Sequence, residues 1–171
     1  MAPPGGSGVT AASLASFFAE RRSIEQVELG DELAPRFDHD GLLPAIVVDA
    51  KSHEILMLGY MNAEALARTL HSREAHFWSR SRQAIWRKGE HSGFTQTVER
   101  ILVDDDQDAL VLHVRVNGPG SCHVGFRSCF YREIDMGTVK GADPVRVRQI
   151  ETDLAFDAAA IYAGLPNPTR I

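Results

Sequence analysis

The chain has 171 residues, of which 44% are hydrophobic and 24% are charged, as is usual for one soluble folded domain. Its formal net charge of -5 argues against a general binder of nucleic acids or membrane surfaces. No apolar run is long enough to span a bilayer, and residues 1–8 lack the features of a signal peptide. We therefore expect a cytoplasmic location, where cysteines are normally reduced.

The N-terminal segment is predicted to be a poorly structured arm. Residues 1–9 are rich in glycine, proline and serine and are expected to be disordered. Thr10 is a candidate N-cap for a short helix that carries an apolar stripe. The stripe comprises Leu14, Phe17 and Phe18.

The next part of the chain is predicted to begin with a β-hairpin. Residues 42–48 have the apolar content of a strand, residues 51–53 have the polar content of a turn, and residues 54–60 match the hairpin partner. Asn62 is a candidate N-cap for the helix that follows.

Further strands are predicted after this helix. Residues 76–78 match a strand that enters a polar, basic loop reaching residue 93. Residues 95–103 and 109–116 alternate apolar with polar side chains, as half-buried strands do. Residues 129–131 are expected to begin another β segment.

A last helix is predicted to start at a Thr152 cap and to run through Ile161. The order of these elements predicts an α+β fold: a compact, β-rich subunit with a mixed sheet and a few flanking helices.

Residues 104–108 contain four aspartates and read Asp-Asp-Asp-Gln-Asp. In a strand, Asp104, Asp106 and Asp108 would share one face and Asp105 would point from the other. Three clustered carboxylates repel one another unless a cation lies among them, and Mg²⁺ prefers such oxygen ligands. The run is therefore a candidate magnesium site, and its alternative interpretation is a solvated acidic turn.

The chain has two cysteines, Cys122 and Cys129, seven residues apart. Zn²⁺ binds thiolates, and a catalytic zinc keeps three protein ligands and a water. The third ligand is open among Asp105, His113 and His123, and His123 could instead act as a general base. The alternative interpretation is a pair of buried core cysteines.

Residues 78–93 are the basic concentration of the chain. Guanidinium groups suit phosphates, tryptophans suit a purine face, and glycines allow close approach of a ligand to the backbone. A solvated loop with two buried tryptophans, or a platform for single-stranded nucleic acid, would use the same residues. The acidic net charge favours a mononucleotide. The candidate substrate-binding residues are Trp78, Arg80, Arg82, Trp86, Lys88, Glu90 and Ser92.

These segments, in this order, closely resemble the phosphoribosyl-AMP cyclohydrolase family of histidine biosynthesis. The resemblance covers residues 36–132 and rests on residues 41–47, 57–62, 77–82, 86–90, 92–93, 104–108 and 122–132. It implies a division of the chain into an N-terminal arm (1–35), a catalytic domain (36–134) and a C-terminal extension with a helix (135–171).

The resemblance also implies a homodimer whose active sites lie at the subunit interface. Zinc is held in the family by three cysteines, two of which match Cys122 and Cys129, and magnesium by three aspartates that match the trio above. The third cysteine comes from the acidic motif of the other subunit, and Asp105 replaces it here. We expect a mixed Asp/Cys/Cys site with a preference shifted toward harder metals, unless His113 or another residue takes over.

The implied reaction is hydrolytic opening of the N1–C6 bond in the adenine ring of 1-(5-phosphoribosyl)-AMP. Its product is a formamidine imidazole carboxamide ribotide. His123 would act as the catalytic base and Arg127 as a cation that binds the substrate. Two rival hypotheses are an inactive or repurposed relative that has lost zinc through Asp105, and an RNA-binding module that uses the basic loop.

Overall fold

The structure, a computed structural model, describes residues 17–141 and 143–169. Over these residues the chain forms eight strands and three α-helices. In chain order they are α1 (Ile24–Leu29), β1 (Leu43–Asp49), β2 (Ile55–Met61), α2 (Ala63–Ser72), β3 (His76–Ser79), β4 (Ala84–Arg87), β5 (Thr95–Val103), β6 (Leu110–Asn117), β7 (Arg132–Ile134), β8 (Val147–Gln149) and α3 (Ala158–Ile161).

Strands β2, β1, β6 and β5 form a four-stranded sheet in that order. The outer pairs, β1–β2 and β5–β6, are antiparallel, whereas β1 and β6 run parallel, so the sheet is mixed. The parallel pair lies in the middle, where its apolar side chains are most buried. The predicted β-rich α+β fold with a mixed sheet and flanking helices is confirmed.

The β1–β2 hairpin is closed by the side chain of Asp49. Its Oδ1 accepts the backbone N–H groups of Lys51 and Ser52, each at 2.9 Å, which is an Asx turn. The predicted turn at 51–53 is confirmed. The predicted cap of α2 is confirmed as well, because Asn62 Oδ1 accepts the N–H of the third helical residue at 2.8 Å.

The core forms where β3 packs against β2 and α2. Its large, fully buried side chains include Leu43, Leu56, Met61, Leu66, Phe77 and Leu112. Gly59 on β2 allows the ring of Phe77 to approach, since a Cβ at this position would lie 2.5 Å from Phe77 Cδ1. The ring therefore packs against bare backbone, which only glycine permits.

A second hairpin, β3–β4, corrects the prediction of a continuous basic loop up to residue 93. Strand β4 pairs with β3 so that Phe77 opposes Trp86 and Trp78 opposes Ile85. Gln83 adopts a positive φ of 51° before β4. The polar turn between β3 and β4 is short enough for the two strands to pair. The residues around Gln83 do not indicate that it adopts a left-handed conformation.

The segment after the cysteines departs from the prediction at two points. Residues 129–131 are not a strand, and β7 begins at Arg132 and pairs with β8. Helix α3 does not start at Thr152, because its N-cap is Asp157, whose Oδ1 accepts the N–H groups of the second and third helical residues. Satisfying two free N–H groups favours this aspartate as the cap.

The N-terminal arm contains a helix that the sequence pattern did not indicate. Helix α1 is capped by Ser23, whose Oγ accepts the N–H of Gln26 at 3.1 Å. Of the residues in the predicted earlier helix, Thr10 and Leu14 lie outside the described residues, as do residues 1–9. The remaining two, Phe17 and Phe18, lie in a turn rather than a helix. Within the described residues, no helix combines the length and apolar character needed to cross a membrane.

Candidate active site

The acidic run is a turn between β5 and β6, as in its alternative interpretation, so the division of faces expected for a strand does not apply. Asp104 Oδ1 accepts the N–H groups of Asp108 and Ala109 at 2.8 and 3.0 Å. Gln107 has a positive φ of 58°, a conformation that reverses the chain and is incompatible with a strand. We call residues 104–108 the acidic turn.

The turn still brings three carboxylates together. Oxygen atoms of Asp104, Asp106 and Asp108, the aspartate trio, lie within 4.8 Å of one another. The guanidinium of Arg36 pairs with two of them, at 2.7 Å from Asp106 Oδ2 and in a closer contact with Asp108. The hydrogen bond from Arg36 lowers the pKa of Asp108 below its usual value. Asp105 is exposed on the same turn.

The two thiols lie together on the loop formed by residues 121–129, which we call the thiol loop. Cys122 is buried and Cys129 is exposed, and their side chains share a hydrogen bond. This bond, two backbone N–H groups and the Lys88 ammonium outweigh burial and lower the pKa of Cys122 to about 6. The same hydrogen bond raises the pKa of Cys129. At neutral pH the two sulfurs therefore share one proton between them.

The thiol loop is fixed by backbone hydrogen bonds. Within the loop, the N–H of Cys122 donates to the carbonyl of Phe126 at 3.1 Å. At its end, the N–H of Cys129 donates to Leu56 of β2 at 2.7 Å, and Ser128 Oγ donates to the carbonyl of Ile55 at 2.7 Å. These bonds attach the end of the loop, with Cys129, to the central sheet and fix Cys122 within the loop.

Arg127 connects the thiol loop to the β1–β2 turn. Its Nη2 donates to Asp49 Oδ2 at 2.6 Å and its Nε donates to Glu54 Oε2 at 2.8 Å. The hydrogen bond to Glu54 is the main cause of its raised pKa. Two sides of the guanidinium are therefore occupied by protein carboxylates, an arrangement typical of a positioning role.

Lys88 lies beneath the thiols rather than on the surface of a loop. It is 8% exposed, and its Nζ donates to the carbonyl of Ser121 at 2.5 Å. Burial lowers its pKa, whereas Cys129 and Cys122 raise it. Gln96 Nε2 donates to Ser121 Oγ at 3.1 Å from the neighbouring strand. Among the residues that the structure describes, Lys88 is the one buried cation, and it is held against the sulfur pair.

His123 is half-buried next to Cys122 and faces the C-terminal segment. Its Nε2 lies 3.5 Å from Thr169 Oγ1. Burial, and then the nearby Lys88 ammonium, lower the pKa of His123, against a hydrogen bond to Asn167 that raises it. The imidazole is accordingly neutral at pH 7 and can accept a proton.

The other candidate zinc ligands do not approach the thiols in one chain. His113 lies on β6 opposite Val48 and packs against His53, with ring centroids 5.8 Å apart. Among the residues described, no group of three His, Cys, Asp or Glu side chains placed to hold a metal ion includes Cys122 or Cys129. A third donor for these thiols is therefore missing from the described part of one subunit.

A cavity of about 780 Å³ opens beside strands β2, β3 and β4, within the range of nucleotide-sized sites. Trp78, Trp86 and Arg80 line it, as do two residues that the sequence interpretation missed, Tyr60 and Pro168. The Arg80 guanidinium lies 4.1 Å from the centroid of the Tyr60 ring. The sequence offered a hint for Tyr60, because this residue follows a glycine on a predicted strand. No feature of the sequence indicated that Pro168 would line the cavity.

The remaining predicted substrate-binding residues divide between two places. Arg82 lies at the cavity edge, with its guanidinium 5.9 Å from the Trp86 ring centroid. Glu90 is exposed and Ser92 accepts the N–H of Phe94 at 3.2 Å, both in the tight turn after β4. The structure does not bring these two to the cavity wall. It brings Lys88 to the thiols, with Nζ 6.0 Å from the Trp86 ring centroid.

The fold and this site define a class: a small α+β enzyme with an aromatic, basic cavity of nucleotide size and two separate sets of candidate metal ligands. The family model of phosphoribosyl-AMP cyclohydrolase matches residues 57–131. That range includes the cavity strands, the acidic turn and the thiol loop.

Curated relatives extend this similarity over most of the chain. The phosphoribosyl-AMP cyclohydrolase of Sinorhizobium fredii is 46% identical over 149 residues, covering 86% of this chain and 95% of the relative. Those of Erythrobacter litoralis and Caulobacter vibrioides are 51% and 50% identical, covering 69% and 71% of this chain and 94% and 88% of the relatives. The chain belongs to the phosphoribosyl-AMP cyclohydrolase family, which confirms the predicted family and the prediction of an enzyme.

Proposed function

We propose that the protein hydrolyses the N1–C6 bond in the adenine ring of 1-(5-phosphoribosyl)-AMP, a step of L-histidine biosynthesis. The formamidine imidazole carboxamide ribotide is the product. One observation carries the proposal: residues that contact the thiol pair and His123 also reach the wall of the aromatic cavity. Lys88 connects the thiols to Trp86 in the cavity wall, and Pro168 in that wall is next to Thr169, which contacts His123.

Zn²⁺ is the metal we assign to Cys122 and Cys129. The donor set fits, since the two sulfurs face each other and the pKa of Cys122 is already lowered to about 6, so one thiolate is present at neutral pH. When bound, Zn²⁺ would supply Lewis-acid activation of a water molecule. The neutral His123 imidazole beside it would take up a proton during the addition to the purine carbon.

We infer that the third zinc donor is Asp105 from a second copy of the chain. Asp105 is exposed on the acidic turn, and the two residues before that turn, Leu102 and Val103, expose 38% and 45% of their surface. Leu58 on the opposite edge strand is 45% exposed. Exposed apolar side chains beside an incomplete site favour a homodimer interface.

The aspartate trio fits Mg²⁺, because its three carboxylates converge within 4.8 Å and offer hard oxygen donors at the surface. A bound Mg²⁺ would neutralise the trio and attract substrate phosphate. Trp78 and Trp86 supply faces for the purine, and Arg80 with Arg82 supplies cationic donors for the phosphates. We propose that Arg127 holds the thiol loop in position. The cytoplasmic location stays a prediction.

The RNA-binding hypothesis receives no support from the basic residues that it needs. Arg87 Nη1 pairs with Glu74 Oε2 at 2.9 Å, and Lys88 is buried against Ser121. That hypothesis uses four cations of the basic segment, Arg80, Arg82, Arg87 and Lys88. Two of them are therefore engaged within the fold.

The proposal is tested by incubating purified full-length protein with phosphoribosyl-AMP, Zn²⁺ and Mg²⁺ and following ring opening by ultraviolet absorbance. We expect turnover that is lost in His123→Ala, while His53→Ala, a histidine packed away from the thiols, keeps it. Absence of turnover with any combination of divalent ions would contradict the assigned reaction.

A further inference from the structure

The aspartate trio already has a positively charged partner, the side chain of Arg36. Its guanidinium bonds to both Asp106 and Asp108. All three side chains are accessible to solvent, with 54% of Arg36, 39% of Asp106 and 38% of Asp108 exposed. Within the described part of the chain, Arg36 is the basic side chain that forms ion pairs with the trio. This residue lies outside the range that the family model matches.

The main chain of Arg36 is held in place by Gln107, the uncharged residue inside the acidic turn. The N–H of Arg36 donates to the Gln107 carbonyl at 2.8 Å. The Gln107 side chain is buried, with 5% of the residue exposed. Its Oε1 accepts the N–H of Ala34 at 2.7 Å, and its Nε2 donates to the carbonyls of Val27 and Glu32 at 2.9 and 3.3 Å.

These four hydrogen bonds attach residues 27–36 to the acidic turn. A buried amide with all its partners satisfied is a specific and stable connection. The positive φ of Gln107 directs its side chain into this contact while Asp106 and Asp108 remain at the surface. The segment of residues 27–36 therefore presents the Arg36 guanidinium to the carboxylates from a backbone that hydrogen bonds hold in place.

A guanidinium and a divalent cation need the same carboxylate oxygens. Each lowers the repulsion among three clustered negative charges, and two cations a few ångströms apart repel each other. We propose that Arg36 is an internal counter-cation of the aspartate trio: it holds the carboxylates together without metal and competes with Mg²⁺ for Asp106 and Asp108. This inference rests on the proposed magnesium site.

The test is calorimetric titration of Mg²⁺ alone into full-length protein, comparing wild type with Arg36→Gln, Arg36→Lys and Arg22→Gln. Arg22 is the matched control, because it is an exposed arginine of the same arm that pairs with Glu32 at 2.5 Å and does not touch the trio. We expect Arg36→Gln to bind Mg²⁺ roughly 3- to 10-fold more tightly. Arg36→Lys should fall between, and Arg22→Gln should match wild type.

A second measurement, thermal unfolding, separates competition from loss of structure. Without divalent ions, Arg36→Gln should unfold at a lower temperature than wild type, and Mg²⁺ should raise its midpoint by more than it raises that of wild type. Equal or weaker Mg²⁺ binding by Arg36→Gln would overturn the inference and leave the magnesium site standing. Absence of Mg²⁺ binding by both proteins would overturn the inference and the magnesium assignment together.

Discussion

The acidic turn is exposed and its charge is balanced from outside by one arginine, whereas the thiol loop is attached to the sheet and contains a buried lysine. In the acidic turn, Arg36 reaches across solvent-accessible space to carboxylates. In the thiol loop, backbone hydrogen bonds, Lys88 and the Arg127 ion pairs fix the sulfur atoms.

The difference matches the ions that the two regions are suited to bind. Mg²⁺ keeps much of its water and exchanges readily, so a surface trio with a displaceable counter-charge suits it. Zn²⁺ binds thiolates strongly and benefits from ligands held in position by surrounding bonds. For the ions that we propose, the domain thus contains an adjustable candidate site and a preorganised candidate site.

The largest effect is expected from Cys122→Ala. Removing the buried thiolate should eliminate zinc and all detectable ring opening, because two remaining donors cannot hold a catalytic metal tightly. The loss of zinc is measured by atomic emission, and the loss of ring opening is measured as turnover of the same sample. His113→Ala is the control, since His113 packs against His53 away from the thiols. Loss of zinc in His113→Ala would instead identify that histidine as a ligand.

Mixing the Asp105→Ala and Cys122→Ala variants tests whether a second copy of the chain supplies the third zinc donor to the thiol pair. Each variant alone should be inactive. After refolding together, activity should return to about a quarter of wild type, because half the dimers are mixed and each holds one intact site of two. No recovery in heterodimers verified by mass spectrometry would count against a shared site.

Arg127→Ala should weaken the attachment of the thiol loop. We expect a loss of about 1–2 kcal/mol in the free energy of unfolding, reduced from the value for a buried pair because the guanidinium is 39% exposed. Urea denaturation measures it. Arg68→Ala, which removes an exposed helical pair with Glu64, should cost about 0.5 kcal/mol or less.

The ion pair between Arg127 and Asp49 predicts the direction in which the free energy of unfolding changes with pH. Burial opposes ionisation of Asp49, but the N–H groups of Ser52 and Lys51 and the charge of Arg127 hold its pKa below 3.8. The stabilisation is therefore complete above pH 3.8 and is lost as the pH falls through the lower pKa of the folded protein. The difference between wild type and Arg127→Ala should shrink over that acidic range, and a difference that grows on acidification would contradict this assignment.

The smallest effect concerns the charge beneath the sulfur pair. In metal-free protein the Cys122 thiolate should titrate with a midpoint near its pKa of about 6. Lys88→Met should raise that midpoint by about one pH unit, because a nearby cation is removed. The titration midpoint is measured in wild type and in Lys88→Met from the absorbance of the thiolate as the pH is varied. An unchanged midpoint would show that the hydrogen bonds to Cys122 set its pKa without a contribution from Lys88.

The sequence was most informative where a local pattern determines structure. The β1–β2 hairpin and the Asn62 cap follow from alternation, turn residues and a capping side chain. One prediction failed at a left-handed residue, Gln83 before β4, and Gln107 in the acidic turn has the same conformation. Polar residues adopt this conformation without a distinctive pattern around them, so it is not readable locally.

The residue types of the site were also more predictable from the sequence than the contacts that these residues make. The residue types and order indicated the family, yet Arg36 and Gln107 act through bonds between segments some 70–80 residues apart in sequence. Similarly, Lys88 belongs to a basic segment but folds inward to Ser121. Such contacts depend on which strands pair and on which side chains are buried, and no local periodicity encodes either.

Asp49 links two parts of the molecule through one carboxylate. One oxygen caps the reversal between β1 and β2, and the other receives Arg127 from the loop that carries both sulfurs. The span between Ala50 and His53 is consequently tied to the location of the thiols. Lengthening this reversal by a residue would therefore shift Arg127 and, with it, the loop that carries both sulfurs.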